Sequence, residues 1–304
     1  MKGLMDFGIA VILWLQQFHP ALDLPFRMIT SLGEEIFFLL FLAMLYWCLD
    51  RRVGARLTIL LLGSAYLNAA LKVLAGQPRP VQYDAQVWAY SDVGGSGGFP
   101  SGHTQHTTAV WGYLASQLRR TWLWVVAGIL MVLVPLSRLY LGVHFPHDLL
   151  GGYVLGLGLL LAYLWLEPRA EAWLVAKGLA WQLGLAVVIP LLLILVLFTE
   201  DGVTEGATLM GMGIGFALER RWVGFEVGGL WWKRALRFLL GVVVLLSLWG
   251  GLRVVFAAWE PALLFRFIRY GLMGLWGGVG APWAFVRLGL AQVRGAAGAG
   301  SVAP

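Results

Sequence analysis

The chain has 304 residues, of which 60% are hydrophobic and only 12% are charged. A soluble globular domain carries about 25% charged residues, so this composition argues against a soluble fold and indicates a protein of the bilayer. The net charge of +6 is spread in small groups between apolar stretches, which argues against a nucleic-acid-binding face and is typical of membrane proteins.

The N-terminal segment, residues 1–32, contains a short apolar run over residues 7–15. A spanning helix needs roughly 20 apolar residues, so we expect an interfacial helix here, with a tilted short span over residues 5–18 as the alternative. No small-residue cleavage site follows the run, and no cleavable signal peptide is predicted.

Six apolar stretches then predict membrane helices. They cover residues 36–49, 57–74, 101–119, 122–141, 148–166 and 178–198. Weaker segments follow at 207–218, 238–258 and 270–291, the first of which is either a tilted span or a re-entrant piece. The pattern predicts an all-α fold, a polytopic transmembrane helix bundle with extra C-terminal membrane helices.

Basic residues predict the orientation of these helices. They cluster in alternate loops, namely Arg51, Arg52 and Arg56, then Arg119 and Arg120, then Arg169 and Lys177, then Arg220, Arg221, Lys233, Arg234 and Arg237. The positive-inside rule makes these loops cytoplasmic. The polar connector at 75–100 and the turn at 140–147 then lie on the external face, which is periplasmic in a bacterial inner membrane.

Two external connectors carry most of the ionisable residues near the membrane edge. Lys72, Arg79 and Arg138 are three cations that together offer a tetrahedral anion several hydrogen-bond donors. Ser101 and Gly102 open a helix, where a serine N-cap and free backbone N–H groups favour an anion. Ionisable residues at this depth are costly, so a functional role is the default hypothesis.

Two histidines and one carboxylate complete the predicted site. His103 begins the 101–119 helix, and Asp148 follows His144 by four residues at the start of another helix. Asp148 is placed to accept a hydrogen bond from one imidazole nitrogen of His144, which leaves the other nitrogen free to attack.

Three motifs carry a resemblance to a known family. Lys72, six residues, Arg79-Pro80 is similar to the first motif of the type 2 phosphatidic acid phosphatase superfamily, in its integral membrane lipid phosphatase branch. The run at 100–103 resembles the second motif. Ser137-Arg138, five residues, His144, three residues, Asp148 resembles the third. The resemblance covers about residues 55–165, and no family motif is evident in the C-terminal third.

The resemblance implies a mechanism. His144 would attack phosphorus and form a phosphohistidine, Asp148 would orient it, and His103 would protonate the leaving oxygen. The phosphoryl oxygens would be held by Lys72, Arg79, Ser101, Gly102 and Arg138. No metal and no cofactor are implied. The expected partners are a lipid phosphate substrate and membrane lipids, and association of several copies of the chain is left open.

Several residues have competing interpretations. His106 and His147 lie beside the motifs and are each a candidate substrate contact, although a structural role is the stronger expectation. Glu34 and Glu35 are expected to interact with a helix N-terminus rather than with a site cation. The glycine-rich stretch at 94–98 is expected to be a hinge, since it lacks the Lys-Ser/Thr of a phosphate loop. Cys48 is expected to be a buried apolar residue.

The predicted division of the chain has four parts: the N-terminal segment 1–32, a catalytic phosphatase core at 33–168, C-terminal membrane helices of unknown role at 169–294, and a disordered tail at 295–304. The predicted function is hydrolysis of a lipid phosphate or diphosphate. Substrates include polyprenyl diphosphate, phosphatidate and phosphatidylglycerol phosphate. The alternatives are a lipid phosphotransferase, a non-catalytic anion transporter and, against the apolar spans, a vanadate-dependent haloperoxidase.

Overall fold

The structure is a computed structural model that describes residues 2–90, 97–259 and 262–294. Residues 94–96 of the predicted hinge and the predicted disordered tail, 295–304, lie outside the described residues. The described chain is helical apart from one pair of two-residue strands.

The described residues of the first part of the chain, 2–90 and 97–175, form eight helices. They are α1 (Lys2–Gln16), α2 (Asp23–Ser31), α3 (Glu35–Met44), α4 (Arg51–Ala75), α5 (Pro80–Tyr83), α6 (Gly102–Leu118), α7 (Thr121–Tyr140) and α8 (Pro146–Val175). A π-helical turn, Leu45–Leu49, extends α3. Two short helices, α1 and α2, precede the first of the six predicted apolar stretches.

The C-terminal part contains α9 (Leu179–Val196), α10 (Glu200–Leu218), α11 (Trp231–Phe256), α12 (Leu263–Leu275) and α13 (Ala281–Arg287). A π-helical turn, Glu219–Val223, follows α10, and another, Trp276–Gly280, joins α12 to α13. Strands β1 (Phe225–Glu226) and β2 (Gln292–Val293) pair antiparallel.

Within the described residues, five helical segments are long and apolar enough to cross a membrane: α4 together with α5, then α7, α8, α9 and α11. The pair formed by α2 and the α3 segment, bent by 48°, passes the same test as a sixth. The prediction of a polytopic, all-α membrane fold is confirmed. Helix α1 has 15 residues and is not among these candidate spans.

Several predicted helix boundaries were wrong. Helices α4, α10 and α11 begin at Arg51, Glu200 and Trp231, before the predicted starts at residues 57, 207 and 238. The helix expected to end at residue 166 continues to Val175, with Pro168 inside it. Proline removes one backbone donor but does not end a helix whose neighbouring turns remain bonded. The segment expected at 270–291 is divided, because α12 begins at Leu263 and a π-helical turn separates it from α13. The paired strands β1 and β2 were not predicted at all.

The fold contains two compact units. Unit 1 comprises residues 1–38 and 63–167, and unit 2 comprises residues 39–62 and 168–304. In unit 1, α1 buries Met5, Ile9 and Ile12 against Val87 and Phe145, so the N-terminal helix packs beside the loop that carries His144. The four-part functional division made from the sequence stays a prediction.

In unit 2 the apolar core gathers around aromatic side chains. Trp47 and Phe285 are almost fully buried and make an edge-to-face contact, with ring centroids 5.7 Å apart. The indole of Trp47 donates to the carbonyl oxygen of Gly277 at 3.0 Å. Cys48 is buried in the same cluster, which confirms its interpretation as a buried residue.

Candidate active site

The loop between α7 and α8 brings His144 into the interior of unit 1. Gly142 has φ of +68°, the left-handed conformation that glycine adopts without strain, and a side chain there would overlap the carbonyl oxygen of Trp88. The N–H of Val143 donates to the carbonyl oxygen of Arg138 at 3.2 Å, which closes the turn. His144 follows directly and is only 2% exposed.

Asp148 fixes the orientation of the His144 ring. Its Oδ2 accepts a hydrogen bond from the backbone N–H of Phe145 at 2.8 Å and lies 3.3 Å from Nδ1 of His144. An ionised carboxylate only accepts hydrogen bonds, so Nδ1 carries the proton and Nε2 keeps its lone pair. This is the arrangement required of an imidazole nucleophile.

Arg79 lies on the Nε2 side of the same ring. Its Nη1 donates to the carbonyl oxygen of Val143 at 3.0 Å and lies 3.5 Å from Nε2 of His144. The side chain of Gln82 accepts the backbone N–H of Arg79 at 2.9 Å, which holds the start of α5. The first and third motifs therefore meet at Nε2 of His144.

The second motif meets the third through backbone contacts. The N–H of Ser101 donates to the carbonyl oxygen of Asp148 at 3.0 Å. A Cβ at Gly152 would lie 2.7 Å from the carbonyl oxygen of Ser101, and one at Gly156 would lie 2.7 Å from that of Gln105. Two glycines four residues apart let α8 approach α6 closely, as small residues do at membrane helix contacts.

Ser101 is the N-cap of α6, which confirms that part of its interpretation. Its Oγ accepts from the N–H of Thr104 at 3.4 Å and from Oγ1 of Thr104 at 3.0 Å. A hydroxyl that accepts twice retains its single O–H as a donor. At Gly102 a Cβ would lie 3.0 Å from Oδ1 of Asn68, so this position is closely packed.

His103 lies in the first turn of α6 against Gly33, where a Cβ would be 2.7 Å from the imidazole Cδ2. Its Nε2 is buried and has no hydrogen-bond partner within the described part of the chain. A buried polar atom left without a partner is costly, so such an atom marks a place where a ligand can bind.

Three cations surround the two histidines. Lys72 is in the last turn of α4 and Arg138 is in the last turn of α7. Lys72, Arg79 and Arg138 each interact electrostatically with both His103 and His144. All eight residues singled out in the sequence, which are His144, His103, Asp148, Lys72, Arg79, Ser101, Gly102 and Arg138, therefore belong to one connected region of unit 1.

The surroundings of His144 lower the pKa of its imidazole well below the usual 6.5. Burial is the first cause, and the positive charges of Arg138, Arg79 and Lys72 add to it. Burial and neighbouring cations both disfavour the imidazolium form. The lowered pKa favours the neutral ring, with an unprotonated nitrogen.

Two structural contacts were missed by the sequence reasoning. Arg138 donates through Nη1 to Oγ1 of Thr30 at 2.7 Å, so α2 holds one of the site cations. The side chain of Gln77 bonds to both Asp148 and His147. Gln77 occupies an unspecified position of the first motif, Thr30 lies outside all three motifs, and no sequence spacing links Thr30 to a partner 108 positions away.

The four residues with competing interpretations take different positions. His106 bonds through Nδ1 to Oγ of Ser64 at 2.9 Å, and His147 bonds to Gln77, so each has a protein partner. Glu35 is the first residue of α3, as expected for a charge at a helix N-terminus. Glu34 instead interacts electrostatically with Arg138, the alternative that was less favoured.

The fold and this site define a multi-span membrane protein with a buried, cation-rich histidine site. The family model of the PAP2 superfamily matches residues 53–172, and the model of the PAP2 superfamily phosphatase transmembrane extension matches residues 203–293. The chain therefore belongs to the type 2 phosphatidic acid phosphatase (PAP2) superfamily. The second match also assigns to the family a C-terminal region in which the sequence had shown no motif.

The chain is similar to several phosphatases. It is 31% identical to mouse sphingosine-1-phosphate phosphatase 2 over 136 residues, which cover 43% of this chain and 38% of the relative. It is 41% identical to phosphatidylglycerophosphatase B of Bacillus subtilis over 68 residues, which cover 19% of this chain and 34% of the relative. The chain thus spans about a third to a half of the length of the curated relatives it matches.

A solved structure is also similar. It is the crystal structure of a transmembrane PAP2-type phosphatidylglycerolphosphate phosphatase from Bacillus subtilis, with 25% sequence identity and a TM-score of 0.47. The match covers 56% of this chain and 88% of that structure.

Proposed function

We propose that this protein is a membrane lipid phosphatase that hydrolyses a phosphomonoester or diphosphate of a lipid through a phosphohistidine on His144. The observation that carries the proposal is the geometry of one ring. Its Nδ1 faces Asp148, and its Nε2 lies 3.5 Å from Nη1 of Arg79 in a buried site. A neutral, oriented imidazole beside a phosphate-binding cation is the arrangement needed for nucleophilic attack on phosphorus.

In the first step Nε2 of His144 forms a bond to phosphorus while the bond from phosphorus to the leaving oxygen breaks. The negative charge of the bound phosphate offsets the three cations and favours the protonated form of His103. His103 gives its proton to that oxygen, which leaves as the lipid alcohol or, from a diphosphate, as the lipid monophosphate. Asp148 stabilises the positive charge that develops on the ring of His144. The phosphoryl oxygens contact Lys72, Arg79, Arg138, the hydroxyl of Ser101 and the backbone at Gly102.

In the second step water attacks phosphorus and the N–P bond breaks. His103, now neutral, takes a proton from the water, so both histidines return to their starting states as inorganic phosphate forms. The buried Nε2 of His103 without a partner supports this assignment, because a phosphate ester would give that atom something to bond.

We also propose that the site faces the external side of the membrane. It is built from the C-terminal ends of α4 and α7 and the N-terminal ends of α6 and α8. Arg51 and Arg52 lie at the opposite end of α4, and Arg119 and Arg120 lie between α6 and α7. Positively charged loops favour the cytoplasm, and this supports a site on the outside, at the periplasmic face of a bacterial inner membrane.

The substrate class follows from the membrane location of the site. A lipid can present its headgroup at the membrane edge while its chains stay in the hydrocarbon. Two relatives are named as phosphatases of lipid phosphates, sphingosine 1-phosphate and phosphatidylglycerophosphate. We therefore propose sphingoid phosphate, phosphatidate, phosphatidylglycerol phosphate and polyprenyl diphosphate as the first substrates to test.

The test is a phosphate-release panel over these four lipids in detergent, with EDTA present. We expect release by the wild type and a loss of at least about 10³-fold in His144→Ala, because no other group replaces the nucleophile. His19→Ala is the matched control, since His19 lies outside the motifs and its side chain is 40% exposed. Thermal unfolding in detergent checks that each variant is folded.

Two results would contradict the proposal. Phosphate release by His144→Ala at the wild-type rate would exclude His144 as the nucleophile. Absence of release from every lipid by a folded wild type would exclude hydrolysis, and transfer of label from a radioactive donor to an added acceptor lipid would then identify a phosphotransferase.

A further inference from the structure

The side chain of Gln77 joins the first and third motifs. Its Nε2 donates to Oδ1 of Asp148 at 2.7 Å, and its Oε1 lies 3.1 Å from Nε2 of His147. Its backbone carbonyl oxygen accepts the N–H of Gly98 at 2.7 Å, just before the second motif. Gln77 is 8% exposed, so these bonds are formed in the interior.

The chemistry of the partners fixes which way the amide points. An ionised carboxylate accepts and does not donate, so the NH₂ group must face Asp148 and the oxygen must face His147. His147 then has to donate from Nε2, which leaves its Nδ1 unprotonated. That Nδ1 is buried and has no hydrogen-bond partner in the described part of the chain. In this tautomer the unpaired atom is an acceptor, so no N–H donor is buried without a partner.

We propose that Gln77 is a positioning residue for the reaction proposed above, and that it holds the carboxylate of Asp148 on Nδ1 of His144 and away from Arg79. This inference rests on the proposed function of His144. It assigns a role to a residue at one of the six unspecified positions of the first motif.

The two oxygens of Asp148 have separate partners. Oδ2 accepts from Phe145 and faces His144, while Oδ1 accepts from Gln77 and lies 3.4 Å from Nε2 of His147. The bond from Gln77 therefore prevents rotation that would take Oδ2 off the His144 ring. A carboxylate that leaves the ring no longer stabilises the charge of the phosphohistidine.

Arg79 competes for the same carboxylate. Asp148 and Arg79 interact electrostatically, and both are buried. A bidentate arginine–carboxylate pair would be favourable, but it would neutralise a cation that the phosphate needs. By occupying Oδ1 with a neutral donor, Gln77 keeps Asp148 on the histidine and leaves Arg79 directed toward Nε2 of His144. Gln77 itself neither gains nor loses a proton during the reaction.

The first experiment replaces the amide by Gln77→Met, which has a similar length but no donor. We expect kcat to fall by about 10- to 100-fold with little change in KM, because a small misplacement of the nucleophile slows the chemical step more than binding. A role in folding alone would lower the amount of active protein and leave kcat per folded molecule unchanged.

The second variant, Gln77→Glu, keeps the shape and adds a carboxyl group opposite Asp148. When protonated, the new group donates to Oδ1 as the amide does, and when ionised it repels Asp148. The ratio of its kcat to that of the wild type should therefore be highest at low pH and fall as pH rises. The titratable groups that bond to Gln77 are Asp148 and His147. Asp148 in turn interacts with His144 and Arg79, and Arg138, Lys72 and His103 act on His144.

The matched control is Gln86→Glu, which adds the same charge to an exposed position of the same connector. It should leave kcat and its pH profile unchanged. Dividing the kcat of each variant by the wild-type kcat at the same pH cancels the titration of the substrate and of the protein groups that are common to both.

The outcomes separate this inference from the function on which it rests. Wild-type turnover with an unchanged kcat and pH profile in both Gln77 variants would overturn the role of Gln77 and leave the His144 mechanism standing. A wild type that releases no phosphate would refute the mechanism, and with it any positioning role. Reduced kcat in Gln77→Met together with the acid-favoured ratio of Gln77→Glu supports the inference.

Discussion

The charged side chains of the two units have different kinds of partner. In unit 2, Arg237 is fully buried, and its two Nη atoms donate to the carbonyl oxygens of Glu226, Val227 and Gly228 at 2.8–3.2 Å. Glu219 is also buried and accepts from Arg51 and from the backbone N–H of Phe225. These charges hold loops and helix ends to one another.

In unit 1, where Arg79 is buried and Lys72 and Arg138 are half-buried, the charges act on titratable side chains instead. Lys72, Arg79 and Arg138 act on the two histidines of the site, and Nε2 of His103 has no partner among the described residues. Burial of a charged residue therefore does not by itself identify a functional site. What identifies it is several cations directed at a group that can react.

The largest expected effect compares one arginine from each unit. Arg79→Gln should lower kcat/KM by about 10²- to 10³-fold, since it removes a cation that stabilises the transition state. Arg237→Gln should leave kcat/KM of the folded protein unchanged but lower the unfolding midpoint in detergent, because each hydrogen bond from a charged group contributes about 1.5–3 kcal/mol.

Phosphate release and thermal unfolding of the two variants, measured on the same preparations, check this comparison. An Arg237→Gln protein that is fully folded but inactive would show that unit 2 takes part in the reaction, and the distinction between the units would then fail.

A smaller effect is expected from two glycine substitutions. A Cβ at Gly152 would lie 2.7 Å from the carbonyl oxygen of Ser101, and one at Gly211 would overlap the carbonyl oxygen of Gly271. Overpacking of this kind costs about 1–3 kcal/mol, so Gly152→Ala and Gly211→Ala should both lower the unfolding midpoint. Only Gly152→Ala displaces the N-cap of the site, and we expect about a 10-fold loss of kcat in that variant alone.

The same two measurements decide the glycine comparison. Equal losses of kcat in the two variants would mean that helix packing affects activity in both units, and that the contact between α6 and α8 has no special role.

The smallest effect concerns Thr30, which lies outside the region matched by the PAP2 model. Thr30→Val removes the oxygen that accepts from Nη1 of Arg138 at 2.7 Å. A net hydrogen bond contributes about 0.5–1.5 kcal/mol, and because Thr30 only positions Arg138 we expect the lower end of that range, roughly a two- to threefold loss of kcat/KM. Thr30→Ser retains the oxygen and should keep wild-type activity, whereas equal activity in Thr30→Val and Thr30→Ser would rule out a role for α2 in the site.

The sequence predicted the elements and the site residues better than the contacts between them. Apolar runs of helical length located the membrane helices, and the three spaced motifs named the residues that meet around His144. The division between α12 and α13 and the pairing of Phe225 with Val293 were not predictable, because a π-helical turn and a long-range strand pair leave no periodic pattern.

The residues that hold the site residues in place were missed by the sequence analysis for a related reason. Gln77 and Thr30 are ordinary polar residues in the sequence, and their partners lie 71 and 108 positions away. Their importance arises only when the fold brings a donor and an acceptor together. The end of α8 was misplaced because the helix continues beyond the apolar run that ends at residue 166, through Pro168 to Val175.

The three cations that act on His144 also bear on how a catalytic cycle would end. Inorganic phosphate, the product of the proposed reaction, presents the same oxygens as the substrate but lacks the lipid chain that returns to the hydrocarbon. Its departure from a buried, positively charged site requires water to replace the contacts with the three cations. Turnover would then be limited by product escape, and the resting protein would be occupied by phosphate wherever that ion is abundant.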